Sequence, residues 1–206
     1  MLPNFRLYFI SDSRLTATPL PLLFREAAAL GVRAFQIREK HLHDDGLREL
    51  ANSIVTELKP YNTSVFINTR QDIAAELHLS LQLPENKIQE IAAIRSIRNN
   101  MMIAASTHSL KSAIIAQDNG ADFILFGPVF ATESKKQFGL PQGLSALAKV
   151  CKAVTLPVFA IGGVTPENAA QCMDNGAHGV ACIGALMKST GIHDTVDKFK
   201  LALGEL

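Results

Sequence analysis

Short apolar runs recur along the chain at a nearly even interval, with amphipathic stretches between them. Eight runs read as strands: Leu7–Ile10, Ala34–Ile37, Val65–Ile67, Leu79–Leu83, Met102–Ala105, Phe123–Phe126, Val158–Ile161 and Gly179–Cys182. Helical spacing of apolar residues falls in Leu47–Leu58, Ile88–Ile97, Leu110–Gln117, Leu144–Ala153, Glu167–Met173 and Asp194–Leu203. Strands alternating with helices predict parallel pairing through crossover helices. Three junctions share one design: Leu30-Gly31-Val32, Asn119-Gly120-Ala121 and Asn175-Gly176-Ala177. Each reads as a helix that ends at a left-handed glycine and turns quickly into a strand. Eight strand candidates favour a closed barrel over an open sheet. No Gly-x-Gly-x-x-Gly follows the first strand, which weakens a dinucleotide-binding alternative. The expected fold class is α/β, a single (β/α)8 barrel domain over residues 1–206.

Composition narrows the partners. With 48% hydrophobic and 19% charged residues the chain reads as globular, and a net charge of +1 leaves no basic excess for a nucleic-acid backbone. Nucleic acid is therefore not an expected partner. No apolar run reaches membrane-spanning length, so no membrane partner is expected either. Cys151, Cys172 and Cys182 lack metal-ligand spacing and read as small buried residues in a reducing cytoplasm. No signal-like segment opens the chain. A homodimer is compatible with the sequence, which does not fix an oligomeric state.

In a barrel of this type the chemistry sits where strands end and the following loops begin. Two such ends carry glycine. Ala160-Ile161-Gly162-Gly163 and Cys182-Ile183-Gly184 each stop an apolar run just before a helix start. Glycine lets backbone N–H groups approach an anion, so the pair reads as a phosphate cradle. Across the barrel, Gln36, Arg38 and Lys40 alternate after the second strand and can share one face, where a guanidinium fork and an ammonium suit an anionic leaving group. Asn68 ends the third strand within reach of a ligand, while Asp72 reads as the cap of the next helix. After the fifth strand, Ser106 and His108 are placed to face the opening, and Ser109 reads as a helix cap. After the sixth, a long connection running to about Gly143 brings Thr132, Ser134 and Lys135, two hydroxyls and a cation that suit phosphate.

Taken in order, these segments resemble the thiamin phosphate synthase/TenI family. The matching pieces are Tyr8-Phe9-Ile10-Ser11-Asp12, Gln36-Ile37-Arg38-Glu39-Lys40, Ile67-Asn68, Ser106-Thr107-His108-Ser109, Gly127-Pro128-Val129-Phe130, Thr132-Glu133-Ser134-Lys135 and Ala160-Ile161-Gly162-Gly163. The resemblance implies small phosphorylated substrates, a thiazole phosphate and a hydroxymethylpyrimidine diphosphate. It implies that Gln36, Arg38, Lys40 and Asn68 hold the diphosphate, assisted by Ser106 and Lys135. It further implies that Thr132, Ser134, Gly162, Gly163 and the Ile183-Gly184 backbone hold the thiazole phosphate. Magnesium comes with the resemblance, yet Thr69 and Lys87 stand where synthases carry its aspartates, and no metal ligand is assigned. Leu81-Gln82-Leu83-Pro84 looks TenI-like, and Gly184 stands where synthases usually have serine. The expected function is a thiamin phosphate synthase-type transferase. The alternatives are a TenI-like thiazole tautomerase, for which His108 is a candidate acid or base, and a non-catalytic binder of thiazole or thiamin phosphate.

Overall fold

In the computed structural model, which describes residues 3–132 and 140–205, eight parallel strands close into a barrel in sequence order, β1 pairing with both β2 and β8. The strands are β1 (Leu7–Ile10), β2 (Ala34–Ile37), β3 (Ser64–Asn68), β4 (Ser80–Leu83), β5 (Ile103–Thr107), β6 (Phe123–Phe126), β7 (Val158–Ile161) and β8 (Gly179–Cys182). The α-helices are α1 (Leu20–Ala29), α2 (Asp44–Leu58), α3 (Gln71–Glu76), α4 (Ile91–Ile97), α5 (Leu110–Asp118), α6 (Gly143–Ala153), α7 (Pro166–Asp174), α8 (Gly184–Met187) and α9 (Ile192–Leu203). The (β/α)8 barrel expected from the alternation is therefore present. Gly31, Gly120 and Gly176 have φ of 101°, 88° and 90°, the left-handed helix ends anticipated at those junctions.

Helix α1 ends at the Leu30-Gly31 junction anticipated as a helix end, although the sequence pattern gave it no range. Pro19 and Pro21 flank its start, and proline is tolerated in a first turn because those N–H groups have no partner there. Leu20, Leu23, Phe24, Ala27 and Ala28 then form one buried stripe at helical spacing. The stretch anticipated as one helix over Ile88–Ile97 is divided into a 3-10 segment, Glu85–Glu90, and α4. Ser109 caps α5 as expected, its hydroxyl accepting from the Ser112 N–H at 3.1 Å. Asp72 is a correction: Arg70 holds the N-cap position of α3, and Asp72 lies within the first turn. The Arg70 N–H donates to the Asn68 carbonyl at 2.8 Å, a tight turn that starts the helix earlier than the acidic residue suggested.

Alternation along each strand sorts the apolar residues into two separate clusters. Outward positions such as Phe9, Phe35, Ile67, Leu81, Leu83 and Phe126 pack under the helices. Inward positions form the second cluster, in which Phe5, Tyr8, Phe66, Phe123 and Phe159 stack edge-to-face or tilted. The Phe123 and Phe159 ring centroids lie 5.0 Å apart, and those of Tyr8 and Phe66 5.1 Å. Small inward residues, Ala34, Ala104 and Ala181, leave room for these rings. At Gly179 a Cβ would come within 2.7 Å of the Phe159 ring, so a larger residue has no space. The ring of His178 lies 5.4 Å from Phe159, beside the backbone of Pro3 and Phe5, and closes this end. No helix among the described residues is long and apolar enough to cross a membrane.

Two outcomes follow from this packing. Phe159 is fully buried, so Phe159→Ala is expected to cost about 3–5 kcal/mol in urea unfolding. Burial pushes the His178 imidazole below its usual 6.5, so the unfolded chain binds a proton that the folded one resists. The stability held by its neutral form is complete above that value and is lost as pH falls through the lowered one. Urea midpoints should therefore drop on acidification, and His178→Gln should remove part of that drop; parallel curves for the two proteins would refute the assignment.

Candidate active site

Above the aromatic rings the inward positions change from apolar to polar. Gln36 on β2, Asn68 on β3, Gln82 on β4 and Ser106 on β5 occupy this upper layer, which opens at the C-terminal ends of the strands. Gln36 is 1% exposed and donates through Nε2 to the Tyr8 hydroxyl at 3.2 Å. Gln82 donates to the Leu83 carbonyl at 3.1 Å and to the Ser106 hydroxyl at 3.2 Å. Because a carbonyl can only accept, these contacts fix the amide orientation. Gln82 Oε1 is then buried with no partner among the described residues. An unmade hydrogen bond at such an acceptor costs about 1–3 kcal/mol, which a ligand donor would recover.

The loops after β1 and β2 are tied by one carboxylate. Glu39, 5% exposed, accepts from the Ser11 hydroxyl at 2.5 Å, the Ser13 hydroxyl at 2.6 Å and the Ser13 N–H at 3.0 Å. Ser11 Oγ in turn accepts from the Arg38 N–H at 2.9 Å. The knot sets Asp12 beside Arg38, with 4.0 Å between Asp12 Oδ2 and Arg38 Nη1. Asp12 also takes a two-pronged contact from Arg14, at 2.8 and 2.7 Å. That contact holds the Asp12 carboxyl below its usual range, so it is ionised at neutral pH. Partial burial works against the Arg38 charge, and Asp12 works for it.

Lys40 lies beyond the strand alternation that pairs Gln36 with Arg38. Strand β2 ends at Ile37, and Lys40 is exposed beyond it. It lines a cavity of about 300 Å³ together with Glu39, Asn68, Thr69 and Arg70. Thr69 has φ of 68°, a left-handed conformation that strains a β-branched residue. Its hydroxyl accepts from Asn68 Nδ2 at 3.0 Å. Strain of about 1–3 kcal/mol of this kind gathers at functional sites, where the surroundings hold it in place.

His108 donates through Nδ1 to the Gly127 carbonyl, 2.5 Å away. A carbonyl demands a donor, so Nδ1 carries the proton and Nε2 of the neutral ring is the acceptor. The His108 N–H donates to Glu85 Oε1 at 3.0 Å. On the far side, Gly162 and Gly163 have φ of 93° and 66°. A Cβ at Gly162 would meet Pro128 at 2.5 Å, and one at Gly163 the Ala131 carbonyl at 2.5 Å. The Gly162 carbonyl accepts from Phe130 N–H at 2.9 Å, and the Gly163 carbonyl from Asn168 Nδ2 at 2.9 Å. With the carbonyls so engaged, the N–H groups of Gly162, Gly163 and Gly184 have no acceptor among the described residues. Ile183 packs on the inner cluster and hands the chain to α8 at Gly184. Thr132 is half-buried at the end of the β6 loop. Ser134 and Lys135 lie outside the described residues.

The structure thus brings Gln36, Arg38, Asn68 and Ser106 to the same end of the barrel as the glycine turns. Sequence reasoning gave no role to Gln82, Glu39, Asp12 or Asn168. The inward parity of Gln82 within Leu81-Gln82-Leu83 was a usable signal. The partners of Glu39 come from another strand's loop, and nothing local announced them.

Comparison with known proteins places this geometry. Residues 7–186 match the family described as thiamine monophosphate synthase. The chain is 35% identical over 184 residues to a protein of Aquifex aeolicus named putative thiamine-phosphate synthase 2, covering 89% of this chain and 98% of that relative. It is 32% identical over 205 residues to the thiamine-phosphate synthase of Pyrococcus furiosus, covering 98% and 97%. The solved structure of thiamine phosphate pyrophosphorylase from Pyrococcus furiosus superposes with a TM-score of 0.86 at 30% identity, over 98% of this chain and 96% of that one. A family match across most of the barrel, with relatives matched along almost their full length, makes this chain a member of the thiamine monophosphate synthase family.

Proposed function

We propose that the chain is a transferase that joins hydroxymethylpyrimidine diphosphate to thiazole phosphate and releases diphosphate. The observation that carries the proposal is the pair of anion-suited donor sets facing one opening, side chains on the β2–β3 side and backbone N–H groups on the β7–β8 side. Two phosphorylated substrates need two such sets, and a single-substrate isomerase needs one. The names of the relatives support the transferase, and the tautomerase and binding-only alternatives gain nothing from them.

In the proposed step the C–O bond between the pyrimidine methylene and the diphosphate breaks, and the diphosphate leaves with the electron pair. The thiazole nitrogen lone pair then forms the C–N bond to that methylene. No proton is lost, so the protein's task is to stabilise charge on the leaving oxygens and to align the two rings. Arg38 and Lys40 supply charge-assisted donors to the diphosphate, with Gln36, Asn68 and Ser106 around them. Gln82 Oε1 takes a donor of the pyrimidine. The N–H groups of Gly162, Gly163 and Gly184, with Thr132, hold the thiazole phosphate, as two glycine turns at helix starts favour. Ser134 and Lys135 join this set by the family resemblance.

Magnesium, the ion that the resemblance brings, does not fit the donors around this opening. It is usually held by one or two carboxylates plus substrate phosphates. Asp12 is engaged by Arg14, Glu39 by Ser11 and Ser13, and one Glu85 oxygen by the His108 amide. Among the described residues no three His, Cys, Asp or Glu side chains gather as a metal site.

Purified protein given both substrates should form thiamin phosphate, read by chromatography. Arg38→Ala should lower the rate by about 10²–10³-fold, the loss typical of one transition-state donor. Gly162→Ala should raise the KM for thiazole phosphate, because its Cβ would press Pro128 and displace the turn. A folded protein that forms no thiamin phosphate, with or without divalent ions, would overturn the transferase reading.

A further inference from the structure

Two carboxylates lie beside Arg38, and each is already engaged by another group. Glu39 accepts from the Ser11 and Ser13 hydroxyls and from the Ser13 N–H. Asp12 accepts from Arg14 through both oxygens, from Nε to Oδ1 at 2.8 Å and from Nη2 to Oδ2 at 2.7 Å. Arg38 Nη1 stands 4.0 Å from that same Oδ2, an ion-pair distance beyond the reach of a hydrogen bond.

Arg14 has no part in the catalytic proposal. Its side chain is 65% exposed, while that of Asp12 is 12% exposed. A guanidinium fork meets a carboxylate in one plane through two parallel bonds. Arg14 therefore fixes both the plane and the position of the Asp12 carboxylate. Without the fork, Asp12 would carry its charge in a partly buried place with Arg38 as the cation beside it, where attraction is stronger than in bulk water. Closing the 4.0 Å gap to the ~2.8 Å of a charge-assisted bond would tie the Arg38 guanidinium to the protein. A guanidinium so tied has to be freed before an incoming anion can take it.

We infer that Arg14 is a positioning residue of the reaction: by holding Asp12 it keeps the Arg38 guanidinium available to the diphosphate group. The inference rests on the transferase reading for Arg38 as the leaving-group donor, but the arrangement itself is tested with inorganic diphosphate alone.

The test is a double-substitution cycle, read by calorimetric titration of the full chain with inorganic diphosphate. Arg14→Gln should weaken binding about tenfold, the size of one charge-assisted contact. Adding Asp12→Asn removes the carboxylate that captures Arg38 and should restore most of the lost affinity. Asp12→Asn alone should change affinity far less, because Arg14 already holds Asp12 back in the wild type. A general field effect of the two charges gives a different pattern, in which each substitution acts by the same factor in either background. Additive effects would therefore overturn the inference. So would wild-type affinity in Arg14→Gln, or a loss that Asp12→Asn leaves unrepaired. Melting temperatures confirm that each variant is folded. Arg38→Ala separates the two readings. If it binds diphosphate as tightly as the wild type, the Arg38 assignment falls and the inference falls with it; if it weakens binding while Arg14→Gln does not, the inference alone falls. Thiamin phosphate formation is scored separately: an intact cycle with diphosphate but no product under any condition would sink the transferase reading and leave the role of Arg14 standing.

Discussion

The interior of an eight-stranded barrel has to be filled by side chains, and here five aromatic rings fill the end near the N-termini of the strands. Everything at the opposite end depends on that. Rings large enough to touch across the axis need alanine and glycine opposite them, which explains Ala34, Ala104, Ala181 and Gly179. Above these apolar rings Gln36, Asn68, Gln82 and Ser106 form one polar layer, joined to the floor by the Gln36 contact with the Tyr8 hydroxyl. Electrostatic contacts above such a floor are stronger than in bulk water, which is the condition for charge stabilisation by a few fixed donors.

A second constraint is the buried Glu39. Its oxygens take donors from the β1 loop while its own backbone belongs to the β2 loop, so the two loops move as one. Arg38 is carried in this knot through its N–H to Ser11, and Asp12 is placed to face it. The guanidinium therefore waits at a defined place without collapsing onto the nearest carboxylate, which is occupied by Arg14. The Arg14–Asp12 contact, whose Arg14 side chain lies at the surface, is weak as a source of stability. Its effect is to leave Arg38 at 4.0 Å rather than in a direct pair.

The fold was legible because each strand is a short apolar run and each turn into a strand carries a glycine of the required hand. All eight anticipated strands match to within a residue or two for this reason, and the closing pair β1–β8 follows once eight are counted. Only the end of helix α1 was legible, at Gly31; its extent was not, because proline and a leucine cluster obscure its periodicity. The glycine turns and the Gln36–Arg38 strand were legible because parity and glycine are local signals. Lys40 was harder: alternation stops with the strand, and only the structure places it in the same cavity lining as Asn68. Gln82, Glu39 and Asn168 take their meaning from partners on distant segments, as with Asn168 Nδ2 on the Gly163 carbonyl. Such roles need three-dimensional placement.

The glycine turns also have a spectroscopic consequence. The N–H groups of Gly162 and Gly163 have no acceptor among the described residues, while neighbouring Val129 and Phe130 donate theirs to the Ile161 and Gly162 carbonyls. The same backbone stretch thus holds amides shielded from solvent exchange by the fold and amides that only a bound anion would shield. Hydrogen exchange at adjacent positions would separate the stability of the barrel from the occupancy of the proposed phosphate cradle, which would then be its own reporter.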